Sequence, residues 1–102
     1  MALGWVLVYG HEAEATAAAR RRFERKLFGY VDRSHRGKYA YERPGFLTGK
    51  PHRRLRRGAL LLPLDLGEKV AAFVREHEGW VWSRKVELSP TEAKQLYPLK
   101  VP

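Results

Sequence analysis

The sequence predicts an α+β sandwich of βαββαβ order: one antiparallel sheet, two helices packed on it and a short C-terminal helix. Three observations carry that expectation. Residues 3–9, 58–64 and 80–88 are short runs rich in Val, Leu and Trp, the pattern of strands with a buried face. Between these runs, apolar residues recur at helical spacing. Gly or Pro stands at most changes of period, at Gly10, Gly29, Pro44-Gly45 and Gly79. With 102 residues there is material for one core, so residues 1–102 are expected to form a single basic α+β domain.

Residues 3–9 form the first strand, ended by Gly10. Residues 12–28 read as a helix, because Ala15, Ala19, Phe23 and Leu27 recur every four positions and make a core-facing stripe. Arg21 with Arg25, and Arg22 with Lys26, are i,i+4 pairs away from that stripe. Glu12 and Glu14 fall in the first turn and cations in the last, which complements the helix dipole. Gly29 is the stop. Residues 30–37 read as a polar connection. Residues 38–43 alternate, with Tyr39, Tyr41 and Arg43 on one face and Lys38, Ala40 and Glu42 on the other, and read as a strand. After the Pro44-Gly45 turn, residues 46–57 hold Gly49, Pro51 and four Arg in five positions, and read as a long basic loop.

Residues 58–64 hold four Leu and no charged side chain, and read as a central strand. Asp65 and Glu68 have capping-box spacing and open a helix to about residue 78, with Val70, Phe73, Val74 and His77 as its buried stripe. Gly79 ends it. Residues 80–88 are the last strand, with Trp80, Trp82, Arg84, Val86 and Leu88 on one face. Ser89-Pro90-Thr91-Glu92 is a stronger helix start: a Ser cap, Pro first and Glu third. That helix runs to about Tyr97 and stops at Pro98. Joined by right-handed connections, this order gives a ferredoxin-like sandwich with helices on one sheet face.

Composition narrows the function. There are 20 Lys+Arg against 11 Asp+Glu, a formal charge of +9 and a pI near 10.3. A hydrophobic content of 44% excludes a disordered basic tail. The chain has no Cys, which excludes disulfides, cysteine–zinc sites and thiol nucleophiles. No apolar run approaches the ~20 residues of a membrane helix, and the N-terminus lacks a basic signal region. The expectation is a cytoplasmic protein with no membrane partner. Asn is absent and Arg outnumbers Lys 13 to 7, a thermophile-like composition.

The charge is concentrated. Residues 20–57 hold 14 basic and 3 acidic side chains, a balance of +11, while the other 64 residues sum to −2. A segment this basic points to a polyanion, nucleic acid first. The candidate phosphate and base contacts are Arg21, Arg22, Arg25 and Lys26 on the helix, Arg36, Lys38, Tyr39, Tyr41 and Arg43 around the second strand, and Lys50, Arg53, Arg54, Arg56 and Arg57 in the basic loop. Guanidinium forks suit phosphates, and tyrosine rings suit stacking on bases. Trp5 with Tyr9, and Trp80 with Trp82, are further aromatics for the open sheet face. Against this stand packing roles for the aromatics, and a guard role for the Arg run beside an apolar strand.

Arg36-Gly37-Lys38-Tyr39-Ala40-Tyr41 resembles the signature strand of the RNA-recognition motif, basic-Gly-aromatic-small-aromatic, with one insertion and on the second strand instead of the third. The apolar first strand followed by an Arg-rich helix ending in Gly29-Tyr30 is similar in architecture to the small ferredoxin-like component of the CRISPR adaptation complex. That family carries an acidic residue after the first strand, where this chain has Tyr9-Gly10-His11. The likeness implies a dimeric duplex-binding scaffold without metal nuclease activity.

The expected function is therefore a non-enzymatic nucleic-acid-binding protein, for DNA or RNA, with no cofactor, no metal and no catalytic residue. One alternative is a homodimer or larger scaffold that covers the open sheet face. Another is a small metal-independent nuclease using His35 and His52 as an acid/base pair. His11 and His77 are not at metal-ligand spacing with either, and His77 on its apolar stripe reads as structural.

Overall fold

β1 (Leu3–His11) is hydrogen-bonded on both sides, by β5 (Ala59–Pro63) and by β6 (Gly79–Glu87), and is the axis of the main sheet. This computed structural model describes residues 2–34 and 36–98. The other elements are α1 (Ala17–Phe28), β2 (Tyr30–Ser34), β3 (Tyr39–Arg43), β4 (Arg53–Arg56), α2 (Leu64–Glu76) and α3 (Pro90–Leu96). The fold is mixed α/β, with a four-stranded antiparallel sheet of order β4-β5-β1-β6 and a separate two-stranded sheet, β2-β3. The chain divides into two compact units, one of Met1–Ala13 with Pro51–Pro102 and the other Glu14–Lys50. No described helix is long and apolar enough to cross a membrane.

In the first unit α2 covers one face of the main sheet. Strand alternation puts Trp5, Leu7 and Tyr9 of β1 on that face, paired through Leu62 and Leu60 of β5. Leu7, Leu60, Leu62, Val70 and Val74 are fully excluded from solvent, and burial of each contributes roughly 1.5–3 kcal/mol. The Trp5 ring lies where a Cβ on Gly67 would be, and its Nε1 donates to the Leu64 carbonyl at 3.2 Å. Gly67 therefore tolerates its low helix propensity because it makes room for an indole. This corrects the expectation for Trp5 and Tyr9. Both belong to the helix-covered face, and Tyr9 is only 6% exposed. Trp80, Trp82 and Arg84, in register with Gly10, Val8 and Val6, lie on the opposite face.

α2 starts at Leu64, one residue before the expected box, and Pro63 offers no side-chain cap. A distant residue supplies the missing acceptor: Tyr97 Oη accepts from the Leu64 N–H at 2.9 Å and donates to the Leu3 carbonyl at 2.8 Å. Val70 and Val74 of the expected stripe are buried, whereas Phe73 and His77 are half-buried at the end of the helix, where His77 Nδ1 lies 2.8 Å from the Phe73 carbonyl. Ahead of α3 the capping box forms as the sequence predicts. Ser89 Oγ accepts from the Glu92 N–H at 3.1 Å, and Glu92 accepts from the Ser89 N–H at 2.8 Å. These bonds from Ser89, and then the charge of Arg53, hold the Glu92 carboxyl below its ordinary value. Its stabilisation is present at neutral pH and is lost as acid carries the pH down through that lowered value.

Three local expectations change. α1 begins at Ala17 behind Thr16, whose side chain accepts from the Ala19 N–H at 3.0 Å, so Glu12 and Glu14 precede the helix and its first turn holds no acid. The polar connection contains β2, and the strand at 39–43 pairs with it instead of joining the main sheet. The basic loop contains β4, which pairs with β5. Neither β2 nor β4 has an apolar face, so neither leaves a period in the sequence.

Tyr97→Phe removes the hydroxyl that bonds both Leu64 and Leu3. It should lower stability by about 1–2 kcal/mol, read as a reduced urea midpoint with an unchanged m-value.

Candidate nucleic-acid interface

In the second unit the chain leaves α1, makes a hairpin and returns to the helix it left. Gly29 ends α1 with φ +81°, and its N–H donates to the Arg25 carbonyl at 2.8 Å. After the hairpin, the Phe46 and Leu47 N–H groups donate to the Lys26 and Leu27 carbonyls, both at 2.9 Å. The Thr48 hydroxyl accepts from the Gly45 N–H at 2.8 Å and lies 3.4 Å from the Phe28 carbonyl. The carbonyls that a helix end leaves unpaired are thus taken by the returning turn. The approach needs glycine: a Cβ at Gly45 would sit 2.7 Å from the Phe28 carbonyl carbon and 2.8 Å from that of Leu27. Among the described residues of this unit, Phe23, Leu27 and Leu47 are buried.

The register pairs Tyr30 with Arg43, Asp32 with Tyr41 and Ser34 with Tyr39, so all six share one hairpin face. Three are tyrosines, exposed by 38% (Tyr30), 45% (Tyr39) and 52% (Tyr41). Each ring has a cation beside it. Arg25 lies 4.6 Å from the Tyr30 centroid, Lys38 5.7 Å from Tyr39 and Arg43 5.8 Å from Tyr41. Arg43 is also held by Asp32 Oδ2, at 3.3 Å from Nη2. At the turn, Arg36 (φ 57°) and Gly37 (φ 84°) are left-handed, and the Gly37 N–H donates to the Ser34 carbonyl at 3.1 Å. Arg36 is thereby fixed at the hairpin tip in a backbone state that costs a non-glycine residue roughly 1–2 kcal/mol. β3 is exposed along its whole length, and a lone two-stranded ribbon has little intrinsic stability.

On α1, Arg22, Arg25 and Lys26 share a face at i, i+3 and i+4, and Arg21 neighbours Arg25. All four are exposed. Lys50 is engaged locally, donating to the Phe46 carbonyl at 2.6 Å. The structure thus gathers Arg25, Lys38, Tyr39, Tyr41 and Arg43 on one ribbon and helix end. It places Arg53, Arg54, Arg56 and Arg57 in the other unit, on β4 and the turn after it. Arg53 serves its own fold, donating to Gln95 Oε1 at 3.4 Å. Tyr30 is the residue that sequence reasoning missed. Its signal was the alternation of Tyr30, Asp32 and Ser34, hidden because Val31 and Arg33 between them do not differ in polarity as a half-buried strand would require.

His35 lies outside the described residues. No group of three or more His, Asp or Glu is placed to hold a metal ion among the described residues. No protein-family model matches this chain, and neither a curated protein nor a solved structure is significantly similar to it.

Gly45→Ala should push the returning turn off the helix end. The expected outcome is loss of amide-exchange protection at Phe46 and Leu47, with protection in β1 and β5 retained.

Proposed function

We propose that this chain is a non-enzymatic nucleic-acid-binding protein whose β2–β3 hairpin stacks on unpaired bases while Arg and Lys side chains hold the phosphates. One observation carries the reading: three exposed tyrosines share one hairpin face, and each has a cation 4.6–5.8 Å from its ring. Aromatic rings accept any base face, and flanking cations neutralise the strand that connects the bases. The unit that holds the hairpin has ten Lys+Arg and four Asp+Glu, a balance of +6, against +3 for the other. Arg21, Arg22, Lys26 and Arg36 extend the phosphate track, and Arg54, Arg56 and Arg57 supply a second one. Phosphate contacts of this kind position a strand without reading its sequence.

The order β4-β5-β1-β6, with α2 joining β5 to β6, supports a ferredoxin-like sheet in which the β2–β3 hairpin is an insertion after the first helix. The absence of Cys supports cytoplasmic residence.

Fluorescence anisotropy with labelled single-stranded oligonucleotides tests the function. Affinity should fall steeply with salt. The double substitution Tyr39→Ala, Tyr41→Ala should weaken binding by about 1–3 kcal/mol per lost stack and leave the salt slope unchanged. Replacing Arg53, Arg54, Arg56 and Arg57 by Ala should instead flatten the slope by up to about 3 units. Absence of binding to single strands and duplexes at about 50 mM salt overturns the proposal.

A further inference from the structure

The two outer strands of the main sheet are protected unequally. β4 is four residues long, carries Arg53, Arg54 and Arg56, and is broken by a register shift between Arg54 and Arg56. Shortness, charge and a bulge each discourage another strand from adding to an edge. β6 is nine residues long, contains no Pro, keeps an unbroken register against β1, and exposes about half of Trp80 and of Trp82. Among the described residues no strand lies on its outer side.

The direction of its backbone groups defines what that edge offers. The Leu88 N–H donates inward to the Ala2 carbonyl at 3.0 Å. Peptide groups alternate along a strand, so residues 80, 82, 84 and 86 also bond toward β1. Gly79, Val81, Ser83, Lys85 and Glu87 turn their N–H and C=O groups outward. Ser83 is the midpoint of this set.

We propose that β6 pairs antiparallel with β6 of a second copy across a two-fold axis at Ser83, joining two four-stranded sheets into one of eight. In this register Ser83 faces its own counterpart, Val81 faces Lys85 and Gly79 faces Glu87, so every outward backbone group of the strand is bonded. On the other face Trp82 stands opposite Arg84 of the second copy, and Trp80 opposite Val86. Arg84 already lies 5.4 Å from its own Trp82 ring, so Trp and Arg alternate around the axis. Both β6 cations thus meet an uncharged residue. Moving the axis to Lys85 would set Lys85 against itself, and moving it to Val81 would shorten the pairing. The strand is self-complementary in one register, as an isologous contact requires, and that singles out a second copy over an unrelated strand. The inference does not rest on nucleic-acid binding.

The absence of native cysteine makes the test direct. Facing residues at a hydrogen-bonded antiparallel site have Cα atoms about 5.5 Å apart, within disulfide reach. Ser83→Cys should therefore form a disulfide-linked dimer under mild oxidation. Glu87→Cys, whose register keeps the two thiols roughly 27 Å apart, should not. In sedimentation the unmodified chain should be dimeric. Ser83→Pro, which removes an outward N–H and none of the bonds to β1, should be monomeric with a circular dichroism spectrum that still shows the fold. If that variant fails to fold, Trp82→Lys, which sets Lys against Arg84, takes its place. The proposal is overturned by a monomeric unmodified chain at about 100 μM, by equal cross-linking of the two Cys variants, or by a dimer that survives in a folded edge variant.

Discussion

The candidate site depends on one close approach of backbone to backbone, where the chain at Gly45 lies against the end of α1 at Gly29. No side chain fits between them, so the turn that follows the hairpin is hydrogen-bonded directly to the last carbonyls of the helix, through Phe46 and Leu47. This contact satisfies groups that would otherwise need solvent. It also fixes where the hairpin leaves the helix, and so brings Arg25, in the last helical turn, over Tyr30 at the first position of β2. An exposed ribbon with little core of its own gains its direction from that anchor instead of from burial.

Elements with an apolar face were legible in the sequence. β1, β5, α2 and α3 each lie close to their expected positions, because burial imposes a period of two or of about 3.6 on the residues that undergo it. β2 and β4 were not legible. Both are held by backbone bonds to a neighbouring strand while their side chains face mostly solvent, and such strands carry no periodic signal. Period also cannot say which face a helix covers. The period of two groups Trp5 with Tyr9 on one face, and only the fold shows that face to be the one α2 covers. A glycine inside α2 was the available clue, since an interior helix glycine marks a place where something large comes close. The cap of α2 lay beyond any local reading, because its acceptor is Tyr97, 33 residues away.

Counted along the chain, the basic window looks like one feature, but the fold separates it between two units. Several of its members have structural work as well. Arg43 braces Asp32 across the hairpin, Lys50 closes its own turn, and Arg53 reaches toward α3. A guanidinium resting on a ring keeps its charge, so Arg25 and Arg43 can stiffen the hairpin and still offer a cation to an anionic partner.

The central position of β1 also sets the order in which the molecule can be assembled. Its partners on one side begin at residue 59 and on the other at residue 79, and Leu3 pairs with Glu87. Contacts so distant along the chain form late and slowly, whereas residues 14–50 close through short loops. During synthesis the segment Trp-Val-Leu-Val therefore waits as an unpaired, uncharged strand until the Leu-rich β5 has emerged. It remains open on its other side until β6 follows. The apolar strand that emerges first is thus the one longest exposed to aggregation.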